Sequence, residues 1–279
     1  MQASDVPLGP SPGMDGISTP RWGSPVVSPD WLSRRLIDPD MRIVDLRDRD
    51  AYEVGHLPGA APLDLKELGH DDDGRENTVI PVDRFERLMS RLGISLDDTV
   101  VAYDDQWGLP SARLVWALHY YGHRNVALLD GGWDRWIAEG HPTTDDVAPD
   151  RTSTFPSAPR SDVYADYAWI TGPGKSRAVL LDTRSEAEFA RGHLPGALGW
   201  DWFNAVPVGS WNFARPLPEL LEELEALGVR RAEEVVVYCR SGMRAAHTYV
   251  LLRHAGFERL RLYDGSWQDW SARHPTDDG

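Results

Sequence analysis

The sequence predicts an α/β protein of two homologous domains, each with a mostly parallel sheet covered by helices on both faces. Short apolar segments alternate with amphipathic segments along the chain, which is the pattern of such sheets. Motifs of the first half recur in the second half in the same order. The length of 279 residues also exceeds that of one ordinary domain.

Four pairs of motifs define the repeat. They are Asp-x-Arg at 45–47 and 182–184, Gly-His-Leu-Pro-Gly-Ala at 55–60 and 192–197, Val-Val-x-Tyr at 100–103 and 235–238, and Asp-Gly-x-Trp at 130–133 and 264–267. The first two pairs are displaced by the same number of residues. A displacement of this length indicates a duplicated domain rather than a short-period solenoid.

The individual elements have recognisable signals. Apolar, partly β-branched runs predict strands at 42–46, 99–103, 125–129, 178–182, 234–238 and 259–263. Ser28 followed by Pro29 predicts the start of a helix, and leucines at helical spacing predict another over 217–227. Gly93 and Gly228 are typical of helix ends.

These signals divide the chain into four parts. Residues 1–24 are rich in Pro, Gly and Ser and predict a disordered leader, within which Met14 is an alternative start. The first domain spans 25–142 and the second 163–275. The linker, 143–162, is polar and contains prolines.

Composition limits the classes of partner and compartment. Forty-four acidic against twenty-nine basic residues give a net charge of −15, which argues against nucleic acid and anionic membranes as partners. The chain lacks a run of roughly twenty apolar residues and the apolar core of a signal peptide. A single cysteine excludes an intramolecular disulfide and fits a reducing compartment, so we expect a cytoplasmic protein.

We expect no metal or other cofactor. One cysteine supplies too few thiolates for a cysteine-based zinc site. The acidic run at 71–73 is typical of a solvated loop rather than of metal ligands.

Cys239, the only cysteine, is the candidate nucleophile. It follows the predicted strand 234–238 and opens the loop Cys-Arg-Ser-Gly-Met-Arg, residues 239–244, which we call the Cys239 loop. Inward-facing N–H groups of such a loop, a helix N-terminus and flanking arginines all favour a thiolate. A small core hydrophobe is the alternative. The first half has Asp104 at the matching position, so only the second half can perform thiol chemistry.

From about residue 25 to 275, the doubled motifs and the Cys239 loop resemble the tandem-domain rhodanese family of sulfurtransferases. The resemblance implies two rhodanese-like domains, of which only the second is catalytic. It also implies a double displacement. Cys239 would take a sulfane sulfur from a small anionic donor as a persulfide, and would pass it to a thiophilic acceptor such as cyanide, a thiol or a thioredoxin-like protein. Such catalysis predicts ping-pong kinetics.

The loop is similar to those of two donor classes. Thiosulfate enzymes resemble Cys-Arg-Lys-Gly-Val-Thr, and 3-mercaptopyruvate enzymes resemble Cys-Gly-Ser-Gly-Val-Thr. This chain has Arg240 as in the first and Ser241 as in the second, followed by Gly242, Met243 and Arg244. Because arginines bind oxyanions well, Arg240 and Arg244 favour thiosulfate.

Resemblance to the 3-mercaptopyruvate enzymes supports the other donor. It implies a relay of Asp45, His56 and Ser241, and substrate-carboxylate contacts by Arg184 and, less closely, Arg191. Arg184 recurs as Arg47 and His56 recurs as His193, which also favours a structural role for these two positions.

Two rival functions remain. Related phosphatases have a Cys-x5-Arg loop, whereas this loop is one residue shorter and follows Tyr238 instead of a histidine. The shorter loop suits a sulfur atom better than a phosphoryl group. A non-catalytic sulfur-binding or scaffolding protein is the other rival, and the thiol with its arginines argues against it.

Overall fold

The computed structural model describes residues 20–72, 74–149 and 151–274. The first domain contains β1 (Val26–Val27), α1 (Pro29–Ser33), β2 (Met41–Asp45), α2 (Arg49–Val54), β3 (Ala60–Pro62), β4 (Gly69–Asp72), β5 (Arg75–Val79), α3 (Val82–Arg91), β6 (Thr99–Tyr103), α4 (Leu109–Tyr120), β7 (Val126–Leu129) and α5 (Gly132–Ala138).

The second domain repeats this order without the β4–β5 pair. Its elements are β8 (Tyr164–Ala165), α6 (Tyr167–Thr171), β9 (Ala178–Asp182), α7 (Glu186–Ala190), β10 (Leu198–Gly199), α8 (Leu217–Leu227), β11 (Glu234–Tyr238), α9 (Met243–His254), β12 (Leu260–Tyr263) and α10 (Ser266–Arg273). Short 3-10 helices lie at Leu65–Leu68, Pro173–Arg177 and Trp202–Ala205.

Each domain has a five-stranded sheet, and the two sheets have the same topology. The orders are β1-β7-β6-β2-β3 and β8-β12-β11-β9-β10, with every pairing parallel. The α/β fold and the duplication are therefore confirmed, and all six predicted strands form within one residue of their expected bounds. The central strands β6 and β11 are apolar because both faces of the sheet are covered.

The predicted helix ends are also confirmed. The Ser28 hydroxyl accepts a hydrogen bond from the N–H of Trp31 at 3.2 Å and caps α1. Gly228 ends α8 with a φ of 100°, a left-handed conformation that glycine adopts without steric cost. None of the helices in the described ranges is long and apolar enough to cross a membrane.

The predicted leader ends earlier than residue 24. Arg21 donates hydrogen bonds to Asp40 at 3.2 Å and to Thr99 at 3.1 Å. The ring of Trp22 lies 5.2 Å from that of Trp31. Residues 20–24 thus pack on the first domain, because an aromatic ring and a guanidinium group find partners there. The rest of the leader, with Met14, lies outside the described residues.

The two domains share one hydrophobic core. Helices α4 and α9 pack against each other, and a single cluster of buried side chains includes Trp116 of α4 and Val250 of α9. The Tyr249 hydroxyl lies 3.3 Å from Nδ1 of His119 across this interface. Separating the domains would therefore expose large apolar side chains to water.

A buried ion pair also joins the domains. Arg113 of α4 donates a hydrogen bond to Asp264 of the second domain at 2.7 Å, and both side chains are at most 2% exposed. Arg113 also donates to the Asn77 carbonyl at 2.6 Å, while Asp264 accepts from the N–H of Val79 at 2.8 Å. These contacts fix strand β5 of the first domain against the second domain.

We predict that Arg113→Met lowers the free energy of unfolding by about 3–5 kcal/mol, because it leaves the buried Asp264 carboxylate without its cation. Urea unfolding monitored by circular dichroism measures this. The control is Arg87→Gln, which removes an exposed pair with Asp83 and should produce no measurable change. Equal effects of the two variants would contradict the assigned role.

Candidate active site

Cys239 lies at the floor of its loop, at the carboxyl edge of the second sheet. This edge is where ligands bind in parallel α/β sheets. The residue is 1% exposed, whereas Ser241 and Met243 of the same loop are half-buried. The Cys239 N–H donates to the Ser266 hydroxyl at 3.2 Å, and its carbonyl accepts from the N–H of Trp267 at 2.9 Å. The backbone of the cysteine is therefore fixed by the start of α10.

Gly242 makes the turn from this loop into α9. Its φ is 87°, in the left-handed region. A Cβ atom at this position would lie 2.9 Å from Nη1 of Arg113 and 3.0 Å from Oδ1 of Asp264. Only glycine fits such a conformation and such a close approach. The interdomain ion pair therefore packs directly against the Cys239 loop.

The matching loop of the first domain, residues 104–108, is here called the Asp104 loop. The Asp104 carboxylate accepts hydrogen bonds from the N–H groups of Gln106, Gly108 and Ser111 at 2.7, 2.9 and 3.0 Å. Burial raises the pKa of Asp104, and these hydrogen bonds oppose the rise because they stabilise the charged form. The loop is thus an anion site occupied by its own side chain.

The second domain has counterparts of two of these N–H groups but no carboxylate. Gly242 and Ala245 hold the positions in the loop and in α9 that Gly108 and Ser111 hold in the first domain. Within the described residues, the N–H groups of Gly242 and Ala245 have no protein acceptor. They can therefore stabilise negative charge on the sulfur or on a group bound to it. This is the arrangement that a thiolate nucleophile requires.

Arg244, the last residue of the Cys239 loop, forms an ion pair within the second domain. Its guanidinium donates to the two oxygens of Glu188 at 2.6 and 2.9 Å. The hydrogen bond to Glu188 raises the pKa of Arg244, and the nearby sulfur of Cys239 adds to the rise. Glu188 in turn accepts from the Ser185 N–H at 3.1 Å and from its hydroxyl at 2.9 Å, which caps α7.

This ion pair occurs only in the domain with the thiol. Glu188 is the third residue of α7, and the third residue of α2 is Ala51. Arg244 is the second residue of α9, and the second residue of α4 is Pro110. Since the fold forms in the first domain without the pair, the pair is not required by the fold and is specific to the domain with the Cys239 loop.

Arg184, a predicted substrate contact, has a contact set that both domains share. It donates to Asp182 at 2.6 Å and to the Gly192 carbonyl at 2.6 Å, and it stacks on the ring of Trp267. The same three contacts recur in the first domain around Arg47, with Asp45, Gly55 and Trp133. Arg184 is 3% exposed. The recurrence and the burial support the structural interpretation of this arginine.

The relay suggested for Asp45, His56 and Ser241 is not assembled by hydrogen bonds. Asp45 is buried and bonded to Arg47 and to the hydroxyl of Tyr103. The two ring nitrogens of His56 lie 2.9 and 3.0 Å from the carbonyls of residues 52 and 146. In the described ranges, no hydrogen bond joins Asp45 or His56 to Ser241.

The remaining predicted contacts lie at the surface. Arg240 is exposed and pairs with Glu76 of the first domain at 3.4 Å. The carbonyl of Glu76 also accepts from the Gln268 side chain at 2.7 Å. Arg191 ends α7 and is exposed. No group of three or more potential metal ligands is found in the part of the chain that the structure describes.

Sequence reasoning missed four residues around the loop. Glu188, Arg113, Asp264 and Glu76 contact the loop or its arginines, and all four come from other segments of the chain, two of them from the first domain. The signal that could have found Glu188 is its presence in one repeat only, together with Arg244.

The fold and the site define a two-domain protein in which one α/β domain carries a loop thiol and its duplicate carries a carboxylate. The family model of the rhodanese-like domain matches residues 28–139 and 170–273. The chain therefore belongs to the rhodanese family of sulfurtransferases, and the expected family is confirmed.

Relatives of several organisms cover nearly the whole chain. A thiosulfate sulfurtransferase of Corynebacterium glutamicum is 34% identical and covers 98% of this chain and 96% of its own. The sulfur carrier protein TtuD of Thermus thermophilus is 33% identical, covering 88% of this chain and 93% of its own. The crystal structure of the 3-mercaptopyruvate sulfotransferase SseA of Escherichia coli aligns at 26% identity with a TM-score of 0.77, covering 88% of this chain and 99% of its own.

We predict that Glu188→Gln lowers the free energy of unfolding at neutral pH by about 1–2 kcal/mol, because it removes a partly exposed bidentate ion pair. The hydrogen bond from Arg244 lowers the pKa of Glu188 to about 2, from about 4.3 in an unfolded chain. The stabilisation is therefore present above about pH 4.3 and is lost as the pH falls towards 2.

Urea unfolding of both proteins at several pH values measures this difference, which should narrow as the pH falls. Glu53→Gln is the matched control, because Glu53 forms an exposed pair with Arg49 and should matter little at any pH. A difference that stays constant from neutral to acidic pH would show that the ion pair is not its source.

Proposed function

We propose that the protein transfers a sulfane sulfur from an anionic donor, with thiosulfate favoured, through a persulfide on Cys239 to a thiophilic acceptor. The observation that carries this proposal is the pair of matching loops. In the first domain, the inward N–H groups bind the Asp104 carboxylate. In the second domain, the corresponding N–H groups of Gly242 and Ala245 have no acceptor among the described residues, so they are available for a charge that arrives with the substrate.

The reaction has two displacements. The Cys239 thiolate attacks the outer sulfur of thiosulfate, the S–S bond of the donor breaks, and sulfite leaves with the electron pair. The terminal sulfur of the persulfide carries the negative charge, which the N–H groups of Gly242 and Ala245 stabilise. A nucleophile such as cyanide or a thiolate then attacks that terminal sulfur, and Cys239 leaves as the thiolate.

The arginines of the loop have different tasks in this proposal. Arg244 is held by Glu188 beside Cys239, so it contributes a fixed positive charge. Arg240 pairs with Glu76 at 3.4 Å, and both side chains are more than half exposed. Such a pair is weak, which leaves Arg240 free to bind the sulfonate end of thiosulfate.

The alternative donor is 3-mercaptopyruvate. It is favoured by Ser241 and by the likeness to the Escherichia coli 3-mercaptopyruvate sulfotransferase structure. The burial of Arg184 in its ion pair with Asp182 weighs against a carboxylate contact by that residue. The absence of hydrogen bonds from Asp45 or His56 to Ser241 in the described ranges also weighs against 3-mercaptopyruvate as the donor.

A sulfur-binding protein without turnover is the second alternative. It is favoured by the likeness to a relative named as a sulfur carrier protein. For either activity, we propose a cytoplasmic location and a thiol, cyanide or thioredoxin-like protein as acceptor. A lone cysteine stays reduced in that compartment.

We predict that incubation with thiosulfate adds one sulfur atom to Cys239, because the loop stabilises the persulfide anion. Intact-protein mass spectrometry followed by peptide mapping detects the adduct. Addition of cyanide should remove it and release thiocyanate. Cys239→Ser must abolish the adduct. Turnover of thiosulfate without a sulfur adduct on Cys239 would refute the double displacement. An adduct that no acceptor removes would favour the sulfur-binding protein without turnover.

We predict that Arg240→Gly lowers kcat/KM for thiosulfate by roughly tenfold, because one charge-assisted contact to the donor is lost. Turnover of 3-mercaptopyruvate should change little. Steady-state kinetics with both donors, and with Ser241→Ala as the matched loop variant, separate the two classes. Intact thiosulfate turnover in Arg240→Gly would remove the reason for ranking this donor first.

A further inference from the structure

A cavity lies over the Asp104 loop, in the domain without the thiol. Its volume is about 500 Å³, which is within the range of small-molecule sites. The first domain contributes Trp107, Leu129 and Asp134, and residues 203–213 of the second domain cover the opening. The cavity thus occupies the carboxyl edge of the first sheet, as the Cys239 loop occupies that of the second.

The charge of this cavity is opposite to that of the Cys239 loop. Its lining includes Asp104, Asp105 and Asp134, and no lysine, arginine or histidine is among the lining residues. The Cys239 loop instead carries Arg240 and Arg244. Asp104 is bound to the N–H groups of its own loop, so Asp105 and Asp134 are the carboxylates left to face a ligand. Burial raises the pKa of Asp134, and the charge of Asp105 adds to the rise.

The neighbouring basic side chains are paired with other carboxylates. Arg135 follows Asp134 on α5, but it pairs with Asp130 and, at 2.7 Å, with Glu139. Arg47, whose charge lowers the pKa of Asp134, is itself bound to Asp45. A cation inside the cavity would therefore give Asp105 and Asp134 a direct ion-pair partner.

Exposed aromatic rings surround the opening. Trp107, Phe203 and Trp211 are 56%, 52% and 57% exposed, although large apolar side chains are usually covered. The rings of Trp107 and Phe203 come from different domains and meet edge to face at 6.2 Å. Trp107 also has a φ of 56°, which is rare for a bulky residue and is typical of functional positions.

We propose that this cavity is a second ligand site, which binds an organic cation, namely an ammonium group attached to an apolar body. Aromatic faces and carboxylates are the combination that recognises such cations. The neutral apolar wall, which includes Leu129 and Phe213, receives the body of the ligand. The site is separate from Cys239, and the inference does not rest on the proposed sulfur transfer.

Isothermal titration calorimetry of the full chain with benzyltrimethylammonium tests this proposal, with tryptophan fluorescence as a second readout. We expect saturable binding, and much weaker binding of 2-phenylethanol and phenylacetate, which are a neutral and an anionic probe of similar size. Trp211→Ala and Asp134→Asn should each weaken binding by roughly tenfold.

Two control variants complete the experiment. Cys239→Ser and Asp83→Asn, an exposed carboxylate on α3, should leave the affinity unchanged, and circular dichroism verifies that each variant is folded. Three results would each overturn the proposal: no binding at millimolar probe, equal binding of the three probes, or full affinity in both Trp211→Ala and Asp134→Asn.

Discussion

The structure depends on how a tight loop after a central parallel strand satisfies its backbone. Such a loop turns several N–H groups towards one point near the start of a helix, and buried N–H groups require an acceptor. In the first domain, the Asp104 carboxylate is that acceptor. In the second domain, the side chain at the same position is a thiol. The N–H groups of Gly242 and Ala245 are therefore available to bind a negatively charged group from outside the chain. The residue at the strand end, a carboxylate in one copy and a thiol in the other, thus distinguishes a loop whose N–H groups are bound from within from a loop whose N–H groups are available.

The duplication provides an internal comparison for every other residue of the site. The Asp–Arg pairs at 45–47 and 182–184, with their carbonyl and tryptophan contacts, are the same in both domains. Their recurrence supports a role in the fold for these pairs. The Glu188–Arg244 pair is present in one domain only. It lies beside the sulfur of Cys239, in the domain that carries the thiol.

The sequence predicted those parts of the molecule that depend on local patterns. Strands such as 234–238 formed as expected because a β-branched apolar run between two helices suits a buried parallel strand. The location of Cys239 at the carboxyl edge of the sheet was predictable because the residue directly follows strand 234–238 in the sequence. The contacts of Arg113 with Asp264 and of Arg240 with Glu76 join residues far apart in the chain, and no local pattern marks them. The predicted leader extends too far along the chain, because composition does not reveal single residues, such as Trp22, that pack on the domain.

The position of the interdomain ion pair under the loop has a consequence for the independence of the two halves. If the second domain were produced alone, Asp264 would lose Arg113 and the N–H of Val79 together. A bare carboxylate would then lie against Gly242, where the intact protein has a neutral pair. That charge would oppose any negative charge at the Cys239 loop. The first domain is therefore an electrostatic component of the second, because its arginine neutralises a carboxylate that lies against the loop.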